Sequence, residues 1–325
     1  MNTVTAIAHP NIALIKYWGN LDDTLRIPSN GSISMNLAAL ETRTTVQIDD
    51  SLSADQVMLN SQPANARDYA RITTFLDIIR AKAKAHSYLR MESANNFPTG
   101  SGIASSASGF AALALAGATV YGLALDEPAL SRLARRGSGS ACRSIPAGFV
   151  EWRPGHADED SYAFSLAVPG HWDLVDLVAL VDEGQKKTGS TEGHPTARSS
   201  PLQSARVEDA ERRLALCRHA IARRDFEALT RVAEQDCLMM HAVMLTSTTV
   251  LIYWQPATLQ VMQVVIQMRG EGLPAFFTID AGANVHVLTP HQHTAEVEDK
   301  LRSIPGISDV LVSTAGGPAR LVSAH

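Results

Sequence analysis

The sequence holds only three cysteines in 325 residues, Cys142, Cys217 and Cys237, and they are far apart. Such spacing suggests neither a disulfide framework nor a zinc knuckle. No apolar run is long enough to span a bilayer, and the N-terminus lacks the apolar core of a signal peptide. Basic charge is scarce: the net charge is −5, and basic stretches are short pairs such as Arg135-Arg136, Lys186-Lys187, Arg212-Arg213 and Arg223-Arg224. Nucleic acid is therefore not an expected partner. There is no internal repeat or low-complexity tract. Histidines number eleven, but none forms a ligand-spaced pair with acids on a helix. His291 and His293, beside Pro290, read as surface-loop residues rather than metal ligands. These absences leave a cytoplasmic protein with a small-molecule ligand, no membrane and no nucleic acid. A hydrophobic fraction of 45% over this length can bury a sizeable core, as one large domain or two.

The stretch around which the rest is organised runs from Asn95 to Gly109. Pro98 through Gly102 supply a turn, and from about Ile103 to Tyr121 the chain is Ala-rich helix. A Gly-rich turn entering a helix leaves backbone N–H groups without helical partners, at the positive end of the helix dipole. Those donors suit a phosphate or another anion. Gly100 and Gly102 allow close backbone approach, and Ser101, Ser105, Ser106 and Ser108 add hydroxyls. The competing reading is ordinary capping and tight helix packing. No Gly-Lys-Ser/Thr closes the loop, so it is not a Walker A motif. On pattern, anion binding is the stronger reading.

Strands are expected at Thr3–Ala8, Ser32–Leu37, Thr42–Ile48 and Gln56–Leu59, and a helix from Arg67 to Ala85. Asp126-Glu127-Pro128 starts another helix. It leads to a second small-residue loop, Gly137 to Ser144, containing Arg143, which either caps a helix or grips a carboxylate or phosphate with its planar fork. Composition changes at Glu183–Pro201, read as a linker or mobile loop, and helices with a few strands follow. Lys16 lies among Ile12, Leu14, Ile15 and Trp18; it either snorkels to the surface, the better reading in isolation, or faces negative charge. Asp280 ends an apolar strand before Ala281-Gly282. An Asx turn and a displayed catalytic carboxylate are equally compatible with that pattern. Strands mixed with helices first and helices later fit an α+β protein of two layered domains.

Taken together, five segments resemble the decarboxylase branch of the galactokinase–homoserine kinase–mevalonate kinase–phosphomevalonate kinase superfamily. They are Asn11 to Gly19, Ile27 to Ser34, Asn95 to Gly109, Gly137 to Ser144 and Phe277 to Gly282. The resemblance, to diphosphomevalonate and phosphomevalonate decarboxylases, spans about Thr5 to Leu288. It implies a domain like ribosomal protein S5 domain 2 at residues 1–182 and a ferredoxin-like domain at 183–325, with final strands free to pack back across the boundary. The active-site cleft lies between them, ATP and magnesium are required, and a homodimer is expected. Carried over, Asn95, Pro98, Gly100, Ser101, Gly102, Ser105 and Ser106 hold ATP, with Ser105 near the magnesium. Asp280, Lys16 and Arg143 become catalytic: Asp280 at the 3-hydroxyl, Lys16 beside it, Arg143 on the carboxylate. Tyr17, Ser138 and Ser140 surround the terminal phosphate.

A tertiary hydroxide leaves poorly, so the implied reaction phosphorylates the 3-hydroxyl with ATP, then expels phosphate as carbon dioxide departs. Where the diphosphate enzymes typically carry a lysine after Tyr-Trp-Gly, this chain has Asn20. The missing charge favours (R)-5-phosphomevalonate, giving isopentenyl phosphate for isoprenoid synthesis by the mevalonate route. Arg198 is a candidate to supply that charge instead, and the alternative is the 5-diphosphate, giving isopentenyl diphosphate. Two rivals are a 3-kinase that does not decarboxylate, disfavoured by the set Lys16, Arg143 and Asp280, and a nucleotide sensor without catalysis, disfavoured by the retained Asp280.

Overall fold

The structure is a computed structural model, and the residues described are 3–97, 105–181 and 190–322. Pro98, Gly100, Ser101 and Gly102 of the Gly/Ser loop lie outside them, as does 183–189 of the expected linker.

Three larger sheets organise the molecule. In the first, Thr3–Ala8 pairs antiparallel with Thr42–Ile48, which pairs with Leu89–Asn95; Gln56–Leu59 then adds in parallel. The strand Arg320–Val322 returns to the free edge of Thr3–Ala8. The helix Ser105–Val120 lies in the core beside this sheet. Its alanines are buried on nearly every side, because small side chains let strands and helices approach together. Gly117 is one such place: a Cβ there would meet Ile79 Cδ1 at 2.8 Å.

The second sheet orders Ala163–Ala167, Phe149–Trp152, Ser32–Asn36 and Asn11–Ile15. Every residue of Asn11–Ile15 is buried. A continuous apolar run is what a strand covered on both faces requires, and it carries no alternation to announce itself. The third sheet orders Phe276–Thr278, Val285–Pro290, Leu174–Leu180 and Asp309–Thr314. A division at residue 182 assigns Leu174–Leu180 to the N-terminal unit, yet both its hydrogen-bonded neighbours are C-terminal strands.

The helix Phe226–Thr246 packs on both Asn11–Ile15 and Phe276–Thr278. It starts where Asp225 accepts from the Ala228 N–H, an ordinary N-cap. One helix thus brackets the strand that ends at Lys16 and the strand that precedes Asp280. The stretch 190–201, expected as a loop, contains instead a short helix at Ser190–Gly193 and a 3-10 helix at His194–Ser199. Its polar composition reflects local turns rather than an unstructured link. Overall the class is α+β, as expected.

Candidate active site

Lys16 is held by its backbone before its side chain does anything. Its N–H donates to Asp236 Oδ2 at 2.6 Å, and its carbonyl accepts from Arg206 at 2.8 Å and from Asn30 at 3.0 Å. Behind these, Arg213 donates to Asp236 at 2.7 Å and to Asp209 at 2.6 Å. Arg206, Arg213 and Asp236 are essentially inaccessible to solvent. A buried charge persists only when paired and hydrogen-bonded, and here two arginines meet two aspartates.

So positioned, the Lys16 side chain is 1% exposed and its Nζ lies 2.6 Å from Asp280 Oδ1. The snorkelling reading fails, because the acid that neutralises the ammonium is 264 positions away and invisible to local pattern. Asp280 keeps 27% accessibility, opening onto the cavity rather than bulk water. Burial works against its charge, but Lys16, with smaller help from His286 and Arg143, outweighs that and holds the carboxyl below the ordinary carboxylate range. Arg143, on the 3-10 helix Gly139–Ser144, is buried. Its Nε donates to Asn11 Oδ1 at 3.2 Å and one terminal nitrogen to Ser32 Oγ at 2.6 Å. Burial lowers its pKa, while nearby Cys142 and Asp280 act the other way.

These three side chains line one cavity of about 570 Å³, within the usual size for a small-molecule site. Ser105, Ser106 and Asn95 line it as well, as do Tyr17, Ser138 and Ser140. Ser106 Oγ is 3.2 Å from Ser138 Oγ, so the two small-residue loops meet. Gly139 is required where it stands: a Cβ would meet the Tyr17 ring at 2.5 Å. The Tyr17 hydroxyl donates to Asn20 Oδ1 at 2.5 Å, which leaves the phenol oxygen free to act only as an acceptor.

Two expected contacts are not on the cavity wall. Asn20 is buried behind Tyr17 and donates to Asp23 at 2.9 Å. Arg198 is 57% exposed; it donates to the Asn20 carbonyl at 2.7 Å and pairs with Asp23 at 3.4 Å. Arg198 is therefore spent on neighbours of Asn20. Its reach is set by the 3-10 helix, which sequence composition did not reveal.

Two arginines on the wall, Arg26 and Arg71, escaped sequence reasoning. Arg71 is on the helix Ala66–Ala83, stacks over Phe110 at 4.6 Å and donates to the Gly137 carbonyl at 3.0 Å. Burial, with Arg26 nearby, pushes its pKa down to about 10. Arg26 lies in the turn between Asn20–Asp22 and Ile27–Pro28 and donates through Nε to the Arg136 carbonyl at 3.1 Å. A basic residue in a turn or on an amphipathic helix reads as solvated, so only the tertiary fold identifies these.

Against known proteins, residues 8–163 match the diphosphomevalonate decarboxylase-like N-terminal domain and residues 176–317 match the mevalonate 5-diphosphate decarboxylase C-terminal domain. This chain belongs to the diphosphomevalonate decarboxylase family. The family's members are ATP-dependent carboxy-lyases that decarboxylate phosphorylated mevalonate, and the chain is such an enzyme. It is 37% identical to the diphosphomevalonate decarboxylase of Ganoderma lucidum, over 90% of this chain and 80% of that one. It is 34% identical to the phosphomevalonate decarboxylase of Haloferax volcanii, over 98% of this chain and 97% of that one. A solved complex described as MDDEF with MVAPP, AMPPCP and magnesium superimposes with a TM-score of 0.94, 37% identity and 99% coverage of both chains. The family segments leave residues 164–175 between them, ahead of most of the strand Leu174–Leu180. Among the described residues, no helix is long and apolar enough to cross a membrane, and no group of three or more His, Cys, Asp or Glu is arranged to hold a metal.

Proposed function

We propose that this enzyme decarboxylates (R)-5-phosphomevalonate to isopentenyl phosphate, with ATP becoming ADP and phosphate. The observation that carries the choice of substrate is the neutral cluster behind Tyr17. Asn20 stands where a lysine would add charge, its amide is bound to Asp23, and the Arg198 guanidinium is bound to the same aspartate. Arg198 and Asp23 offset each other, so this pair adds little charge for a second phosphate. The Haloferax relative, which matches almost end to end, carries the same substrate in its name. The second reading is the 5-diphosphate: the names of the fungal and mammalian relatives favour it by number, as does the MVAPP complex.

In this reading Asp280, kept ionised by Lys16, orients the tertiary 3-hydroxyl and accepts its proton as the oxygen bonds to the γ-phosphorus of ATP. Lys16 offers its ammonium to the transferring phosphoryl oxygens. Arg143, its fork fixed by Asn11 and Ser32, holds the carboxylate aligned while the C3–O and carboxyl C–C bonds break, giving carbon dioxide and an alkene. Ser105 and Ser106, at the start of a 16-residue helix, receive the ATP phosphates. The donor set fits magnesium carried by those phosphates: serine hydroxyls and Asp280 are hard oxygen ligands, without a separate acidic cage. Magnesium would neutralise charge on the phosphates. A homodimer and a cytoplasmic location belong to the same reading, and sedimentation equilibrium tests the first. Incubation with ATP, magnesium and each phosphorylated mevalonate tests the function: carbon dioxide with the monophosphate in preference supports it, and ADP without carbon dioxide refutes decarboxylation.

A further inference from the structure

We propose that Arg26 and His194 form the seat for the terminal phosphate of the substrate, Arg26 as its cation and His194 as a neutral Nε2–H donor. The assignment rests on the reading that this cavity takes a 5-phosphorylated mevalonate, and it names residues that the motifs do not contain. Four observations converge on it.

First, Arg26 lines the cavity with charge to spare. Its Nε is anchored on Arg136, but the two terminal nitrogens have no hydrogen-bond acceptor, and no carboxylate lies within 4 Å, among the described residues. A half-buried guanidinium without an anion is costly unless a ligand supplies one. Second, Arg26 adopts φ +55°, a left-handed conformation uncommon for any residue with a Cβ, in the turn between Asn20–Asp22 and Ile27–Pro28. Such positions gather at ligand sites, where the surrounding fold enforces them.

Third, His194 is 7% exposed, lies on the same wall, and its tautomer is fixed. Nδ1 accepts the Gly19 N–H at 3.0 Å, so the single proton of the neutral ring resides on Nε2. Nε2 has no partner among the described residues. The ring is clamped between Tyr17, stacked at 4.1 Å, and Trp18 at 4.7 Å, so it cannot turn away. Burial, reinforced by Arg26, Arg206 and Arg143, pushes its pKa down to about 3, which keeps it a neutral donor at working pH. Fourth, Arg26, Tyr17 and His194 line the same cavity. The Tyr17 hydroxyl already donates its one hydrogen bond to Asn20. A phosphate beside it must therefore find its donors elsewhere, and Arg26, His194 and the Ser138 and Ser140 hydroxyls are on the same wall.

The test measures steady-state constants for 5-phosphomevalonate and ATP, together with equilibrium binding of 5-phosphomevalonate without ATP. Arg26→Leu should raise KM and Kd for the phosphorylated substrate roughly 10- to 100-fold, with kcat and the KM for ATP within about threefold. Arg26→Lys should recover part of the loss. His194 is separated from a packing role by two amides. Asn places an acceptor near Nδ1 and loses the reach of Nε2, whereas Gln does the opposite. Binding should weaken in His194→Asn and hold in His194→Gln. The reverse order would mean that His194 only supports the Gly19 turn, and would overturn its assignment. Arg26→Leu with unchanged KM and Kd, or with equal losses for ATP, would overturn the seat while leaving the function intact. Should the unmodified enzyme bind neither phosphorylated mevalonate, both the seat and the functional reading fall.

Discussion

Two gatherings of arginine lie on either side of Lys16, and they are built on opposite rules. Behind it, Arg206 and Arg213 face Asp209 and Asp236, and hydrogen bonds bind the four to each other and to the Lys16 backbone. In front of it, Arg26, Arg71 and Arg143 face the cavity with no carboxylate within 4 Å among the described residues. The difference separates structure from function. A buried guanidinium that is fully paired holds the chain in place. One that is left unpaired at a cavity is complementary to an anion that has yet to arrive. Lys16 and Asp280, both on the cavity wall, form the pair that the proposed reaction would open.

That contrast can be broken or sharpened by substitution. The largest effect is expected from Asp280→Asn, which keeps size and removes the charge: kcat should fall by at least about a thousandfold, with circular dichroism unchanged. A normal rate would remove Asp280 from the chemistry. Next comes the rear cluster. Asp236→Ala leaves the buried Arg206 without a carboxylate, Arg213 with Asp209 alone and the Lys16 N–H without its acceptor, and should cost about 3–5 kcal/mol, read by urea denaturation. A loss below about 1 kcal/mol would mean that the cluster is not what holds the Lys16 strand end.

Asn20→Lys should raise kcat/KM for the diphosphate relative to the monophosphate by roughly tenfold, the worth of one added charge-assisted contact. A constant ratio would remove the neutral cluster as the determinant. The pH dependence of stability follows from His194, whose folded pKa of about 3 lies below its unfolded value of about 6.5. Below about pH 6.5 the unfolded chain binds a proton that the folded ring refuses. Stability from this group is full above that pH and is lost as pH falls towards 3, at up to about 1.4 kcal/mol per pH unit. His241, pushed down to about 4 by burial, adds to the slope. The melting curve of His194→Asn should therefore flatten between pH 6.5 and 4.5 relative to the unmodified chain, and an equal slope would contradict the assignment. The smallest effect belongs to the exposed helical pair Glu227 and Arg231. Arg231→Ala should change stability by no more than about 0.5 kcal/mol.

The rear and front clusters also differ in how far they could be read from the chain. Most elements follow from local pattern: the helix Ala66–Ala83 from its apolar spacing, the helix Glu127–Gly137 from Asp126 and Pro128. Lys16, Arg143 and Asp280 were found as a set because each lies in a segment whose order resembles a known family; taken singly, Lys16 read as snorkelling. Arg206 and Arg213 read no differently from solvated arginines, and they lie on two consecutive helices, Gln203–Glu208 and Ala210–Arg223. Arg26 left none, since a turn arginine acquires meaning only where the fold brings it to the cavity wall. The pairing of Leu174–Leu180 was likewise hidden, because a strand buried on both faces has no alternation to show its partners.

The most direct measurement is a competition in which the purified enzyme, with ATP and magnesium, is offered equimolar (R)-5-phosphomevalonate and (R)-5-diphosphomevalonate, and isopentenyl phosphate and isopentenyl diphosphate are quantified together with carbon dioxide. One phosphate seated against Arg26, with neutral neighbours beyond it, calls for isopentenyl phosphate as the main product in step with carbon dioxide. Isopentenyl diphosphate as the main product would contradict it.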